Sequence, residues 1–106
     1  MKTMFSILVA ALLSLSSSLV LAKEYTVGQK DKKFTEKTLT LNVGDAVRFE
    51  NQDPFFHSIF SLSKLKTFNL GSFKKGKSKV VVFDKVGTVE VECAIHPNMF
   101  LTVNVK

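Results

Sequence analysis

From Thr88 to Cys93 every second side chain is apolar. Val89, Val91 and Cys93 fall on one face of an extended chain, and Thr88, Glu90 and Glu92 fall on the other. A period of two is incompatible with a helix, whose apolar positions recur every three or four residues. The same pattern returns along the chain. In Phe34–Val43 (FTEKTLTLNV), Leu39, Leu41 and Val43 oppose Thr38, Thr40 and Asn42; in Ala46–Glu50, Val47 and Phe49 oppose Arg48 and Glu50. Val80–Phe83 is a continuous apolar run, Leu101–Val105 closes the chain, and Glu24–Val27 suits a first edge strand. Gly44-Asp45 and Lys85-Val86-Gly87 punctuate these runs as turns. Only Phe60–Phe68 (FSLSKLKTF) has a spacing compatible with a helical turn. So many short strands in so short a chain predict an all-β protein, a small antiparallel β-sandwich or barrel.

The first residues bear on where that domain works. One lysine in Met1–Met4 is followed by an uncharged run from Phe5 to Ala22, with small residues at the −3 and −1 positions of Val20-Leu21-Ala22. This reads as a cleavable signal peptide over residues 1–22, which places the mature protein in the periplasm. A retained anchor is the alternative, because the run is nearly long enough to span a bilayer. Residues 23–106 then form a single domain of 84 residues, expected to be monomeric and free of the membrane once cleaved. It carries 14 Lys and Arg against 9 Asp and Glu. Part of the excess lies in Lys74–Lys79 (KKGKSK), expected at a hairpin rim, where it would steer acidic partners or keep an edge solvated. The lysines are not interleaved with aromatics, and the compartment is wrong for nucleic acid, so no nucleic-acid partner is expected.

Small exported domains commonly rely on disulfides, but this chain has a single cysteine and cannot form one internally. Cys93 is followed by His96 and Met99 at intervals of three, on the loop between the last two predicted strands. The other histidine, His57, lies in NQDPFFHS, just after the Ala46–Glu50 strand, where Pro54 stops that strand from continuing. If both loops meet at one end of the sandwich, two imidazoles, a thiolate and a thioether converge. Each residue alone is more simply read as packing: an inward cysteine, a structural histidine, a methionine filling the core. Together they form the donor set of a type 1 copper site, trigonal His₂Cys with a weak axial Met. Structural zinc sites use four strong ligands, and haem attachment needs a C-x-x-C-H run that is absent.

The C-x-x-H-x-x-M run of Cys93, His96 and Met99, the His96-Pro97 pair, and Phe49-Glu50-Asn51 preceding His57 resemble the cupredoxins, in particular those of the amicyanin type. The resemblance spans most of residues 24–106. It implies a Greek-key β-sandwich, one copper ion held by His57, Cys93, His96 and Met99, and transfer of single electrons between protein partners rather than catalysis. A copper carrier or chaperone that hands the ion on is the alternative. Two positions depart from the family's pattern: Ser58 stands where many members have Asn, and Ala94-Ile95 where others have a hydroxyl residue and Pro. Both adjoin ligands, so they bear on tuning rather than on ligand identity. Phe55, Phe56, Phe60 and Phe100, with Pro97, are expected to form an apolar collar around the ligands, and Phe49, Phe68 and Phe83 to fill the core.

Overall fold

The computed structural model describes residues 21–106, so the expected leader lies outside the described residues apart from Leu21 and Ala22. Nine strands follow one another: β1 (Glu24–Lys30), β2 (Lys33–Phe34), β3 (Thr38–Leu41), β4 (Ala46–Asn51), β5 (His57–Ser61), β6 (Phe68–Phe73), β7 (Ser78–Val82), β8 (Gly87–Glu92) and β9 (Phe100–Val105). They form two sheets, ordered β2-β1-β4-β7 and β3-β9-β8-β5-β6. The alternation explains the layering. Val27, Val47, Phe49 and Val81 project from the first sheet, Leu41, Ile59, Val89, Val91, Leu101 and Val103 from the second, and all are buried in one shared core. Phe49 and Phe83 are buried there and Phe68 packs against it, as their positions predict.

Four details differ from the sequence expectation. The long run from Phe34 to Val43 is divided: Thr35–Lys37 separate β2 from β3, and the chain changes sheets between them. Two pairs are parallel, β1 with β4 and β3 with β9, because the chain crosses between the sheets before returning beside an earlier strand. Alternation reports which face a residue occupies and says nothing about strand direction. Third, Phe60–Phe68 makes no helical turn. Phe60 and Ser61 end β5, Phe68 begins β6, and hydroxyls fold the turn between: Ser61 Oγ accepts the Ser63 amide at 3.2 Å, and Ser63 Oγ accepts the Glu90 amide at 2.9 Å. Fourth, the lysine-rich turn does lie on the rim, but it joins β6 of one sheet to β7 of the other and is no hairpin.

The turn between β3 and β4 is fixed by one carboxylate. Asp45 accepts the backbone amides of Lys23 and Asn42, each at 2.9 Å. These bonds, the Lys23 one foremost, hold the Asp45 carboxyl below its usual value of 3.8, with burial offsetting part of the effect. A carboxyl whose folded pKa is depressed stabilises the fold above the unfolded value and loses that contribution as pH falls through the folded one. The denaturation midpoint is therefore expected to fall in urea titrations below about pH 4, and Asp45→Asn to flatten that dependence.

Candidate metal centre

All the strand ends that matter lie at one end of the sandwich. β4 finishes at Asn51, β5 opens on His57, β8 stops at Glu92 just before Cys93, and β9 begins at Phe100 just after Met99. His57 is thus the first residue of a strand rather than a mid-loop residue, and its backbone pairs with Phe73 in β6. Cys93 completes the inward set of Val89 and Val91.

The loop that delivers His57 is built on Asn51. This fully buried side chain donates Nδ2 to the carbonyls of Phe55 (2.8 Å) and Phe73 (2.9 Å), while its Oδ1 accepts the Asp53 amide at 2.8 Å. Three bonds from one amide tie the loop's start, its end and the neighbouring strand together. Asn51→Ala leaves those groups unpaired in a dry setting, at about 1–3 kcal/mol each if none finds water. The expected loss is about 2–4 kcal/mol in urea unfolding of the metal-free domain.

Three donor atoms converge. Cys93 Sγ lies 3.7 Å from His57 Nδ1 and 3.8 Å from His96 Nδ1, and the two nitrogens are 3.2 Å apart. The point in their plane equidistant from all three is about 2.1 Å from each, inside the range of about 2.0–2.3 Å over which a first-row transition ion bonds imidazole nitrogen and thiolate sulfur. The donor set therefore fits a metal ion without rearrangement. Among the described residues it is the one group of three such ligands. Cys93 is 2 % exposed and His57 is fully buried, while His96 is partly exposed. Met99 is 1 % exposed, and its amide bonds the His96 carbonyl at 3.1 Å, closing the turn that brings the loop back toward the thiol.

The surroundings orient these donors. The Ser58 backbone N–H points at Cys93 Sγ at 3.4 Å, so the link across the two loops comes from the main chain. The Ser58 hydroxyl takes no part in it, so this bond is independent of the side chain at position 58. His57 Nε2 faces Asp53 Oδ2 at 2.7 Å. Burial raises the Asp53 pKa, but the His57 bond and the amides of Lys32 and Asp31 outweigh it and leave the carboxyl below its ordinary value. Burial first lowers the His96 pKa, and the neighbouring His57 and Lys32 add to it against an opposing pull from Asp53, which favours the neutral imidazole that can act as a donor.

The aromatic collar is only partly as expected. Phe55 packs on both imidazoles, 5.3 Å between centroids in each case, and the two imidazoles are 4.8 Å apart. Phe56 and Phe100 instead stand more than half exposed, and Phe60 pairs with Glu92 along the sheet. Lys32 sits with its ammonium 5.8 Å from the Phe55 centroid. Sequence reasoning missed Asp53 and Lys32. For Asp53 the available signal was a carboxylate four residues before a candidate ligand, held by the Pro54 turn; for Lys32 no sequence signal exists.

Comparison of the whole fold with solved structures places it. A variant of amicyanin solved in the Cu(I) state superposes with a TM-score of 0.73 at 21% identity, covering 86% of this chain and 88% of that one. The fold is that of the cupredoxins. A purple cupredoxin from Nitrosopumilus maritimus gives a TM-score of 0.70 at 21% identity over 77% of this chain and 99% of its own. A copper-containing nitrite reductase from Thermus scotoductus gives 0.74 at 23% identity, with 88% of this chain covering 26% of that enzyme. No protein-family model and no curated protein matches the sequence. The cupredoxin architecture is thus recovered by shape where sequence similarity is low, and the candidate site sits where its β4–β5 and β8–β9 loops meet.

Proposed function

We propose that this chain is an exported type 1 copper protein that carries single electrons between protein partners. His57, Cys93 and His96 would supply two imidazole nitrogens and a thiolate to the ion, with the Met99 thioether as a further, weaker donor. The observation that carries this reading is the preformed triangle of two Nδ1 atoms and one Sγ around a common point at bonding distance. Bound copper supplies a one-electron couple between Cu(II) and Cu(I). The protein's part is to hold the donors in one arrangement that suits both states. Buried Cys93 and His57 exclude water, the Ser58 amide steadies the thiolate, and the partly exposed His96 edge is the route by which an electron enters or leaves. A closed, buried donor set favours retention over hand-over. Voltammetry of the copper-loaded domain should show a reversible couple, and the copper should stay bound when a competing chelator is added. Rapid loss to the chelator, without a reversible couple, would replace this reading with that of a copper carrier.

The partner reading rests on where the lysines fall. Lys32, Lys33 and Lys37 lie in or beside the loops next to His96 and Phe100, while Lys74, Lys75 and Lys77 form the turn bonded to Asn51 at the same end. Exposed Ile95 and Phe100 supply an apolar centre. Such a face suits an acidic protein surface around the partner's redox site. Electron transfer to an acidic partner is expected to slow steeply between about 0.01 and 0.15 M salt, as screening shortens from about 30 to 8 Å. A rate independent of salt contradicts an acidic partner.

Export rests on the leader read in residues 1–22, and the carboxylate that fixes the β3–β4 turn is compatible with it. Cleavage after Ala22 would turn the Lys23 amide, 2.9 Å from Asp45 Oδ1, into an α-ammonium already seated on its counter-ion. N-terminal sequencing of the periplasmic fraction should read Lys23-Glu24-Tyr25; a retained leader contradicts this.

A further inference from the structure

We infer that Asp53 is a positioning residue that serves two structures at once: it fixes His57 with Nδ1 free for the metal, and it anchors the turn that sets Lys32 over the site. The metal part of this inference rests on the copper reading above; the geometric part does not.

The first half follows from the chemistry of a carboxylate. Asp53 is 4 % exposed and its Oδ2 is 2.7 Å from His57 Nε2. An ionised carboxylate only accepts, so Nε2 carries the proton, and in the neutral ring, the form that can bind a metal, Nδ1 keeps a bare lone pair. That lone pair faces Cys93 Sγ and His96 Nδ1. The ring is further held by a T-shaped contact with Phe55, and Asp53 by its own amide on Asn51 Oδ1. A negatively charged acceptor also makes the imidazole a stronger donor, which favours the more highly charged Cu(II) over Cu(I).

The second half lies across the sandwich end. Asp31 and Lys32, the two residues between β1 and β2, both have left-handed backbones with φ of 54° and 60°. Neither is glycine, and each such residue costs about 1–2 kcal/mol when nothing compensates. Here the Asp31 amide donates to Asp53 Oδ1 at 2.8 Å and the Lys32 amide to Oδ2 at 3.1 Å. The carboxylate thus accepts three bonds, within its capacity of about four. Lys32 is thereby set against Phe55, which itself lies on both imidazoles. No neutral amide reproduces this. An Asn at position 53 has one acceptor oxygen, so it either turns an NH₂ toward the turn amides or turns one toward His57, where it favours the wrong tautomer.

The test begins with the metal-free domain, residues 23–106, by ring-nitrogen NMR. In the wild type, His57 should show a protonated Nε2 and an unprotonated Nδ1. In Asp53→Asn, amide hydrogen exchange at Asp31 and Lys32 should speed by about tenfold or more, corresponding to at least about 1.4 kcal/mol of lost protection. With copper, Asp53→Asn should weaken Cu(II) binding by about 10–100-fold and Cu(I) binding less, which raises the reduction potential. A wild-type His57 protonated on Nδ1 overturns the inference, even if the variant does not fold. So does an Asp53→Asn protein whose turn exchange and Cu(II)-to-Cu(I) affinity ratio are both unchanged. The expected tautomer in a wild type that gives no coloured copper complex overturns the copper reading instead, and leaves Asp53 as the anchor of ring and turn.

Discussion

Cys93→Ser is expected to stay colourless when Cu(II) is added, while the wild-type domain develops an intense visible thiolate-to-copper band. The reason is electronic before it is structural. A thiolate is the soft, easily oxidised donor of the set, and imidazole, thioether and hydroxyl do not replace it. A serine hydroxyl stays protonated near neutral pH and presents a hard oxygen. The packing cost is modest, since Cys93 is a small side chain at a strand end and the Ser58 amide that faces Sγ keeps an acceptor. The variant should therefore fold, with an unchanged far-ultraviolet circular dichroism spectrum, and fail only in its copper spectrum. A coloured Cys93→Ser complex contradicts the assignment of the thiolate.

The second large effect belongs to the core. Phe49 is fully buried at the centre of β4, between β1 and β7, and meets Phe34 edge-on with ring centroids 6.3 Å apart. Neighbouring strands hold the backbone on both sides, so the cavity left by Phe49→Ala has little means of collapsing. The expected cost is about 3–5 kcal/mol, against a total stability of about 4–13 kcal/mol for a domain of this size. Urea unfolding of the metal-free domain measures it directly. Phe49→Leu, which keeps most of the volume, should cost far less. A change below about 0.5 kcal/mol in Phe49→Ala would falsify the claim that this ring organises the core.

Where one face of a strand is buried and the other is wet, the sequence reads cleanly. Val89, Val91 and Cys93 alternate with Thr88, Glu90 and Glu92, and their burial follows that order. The convergence of His57, Cys93 and His96 was legible for the same reason, because two strands of known inward face end in loops at one edge. β5 and β6 were not legible. His57–Ser61 is buried at four of its five positions, so it has no wet face to alternate with. β6 is interrupted by a register shift: Ile59 pairs with Gly71 but Phe60 with Asn69, and Gly71 takes a φ of 73° at the bulge. An extra residue there moves every later side chain to the opposite face. Asp53 stood four residues before a candidate ligand, but its second contact was not legible, for another reason. Its role depends on a turn 21 and 22 residues away, and long-range hydrogen bonding leaves no periodic trace.

The roles at the site differ in how far sequence determines them. The candidate ligands are picked out by residue type and spacing. Ligand orientation follows from main-chain and carboxylate contacts that many sequences could supply. The contact at Ser58 is an example: its bond to Cys93 comes from the backbone and does not depend on the side chain at that position.

Copper-edge X-ray absorption of the loaded domain tests the central claim most directly, because it counts the atoms around the ion. The expected shell has one sulfur and two nitrogens at short distance, about 2.0–2.3 Å, with a weaker and longer sulfur from Met99. The sulfur at short distance should vanish in Cys93→Ser. A wild-type shell of nitrogen and oxygen alone would mean that the ion binds elsewhere, and the account of His57, Cys93 and His96 as one metal centre would be wrong.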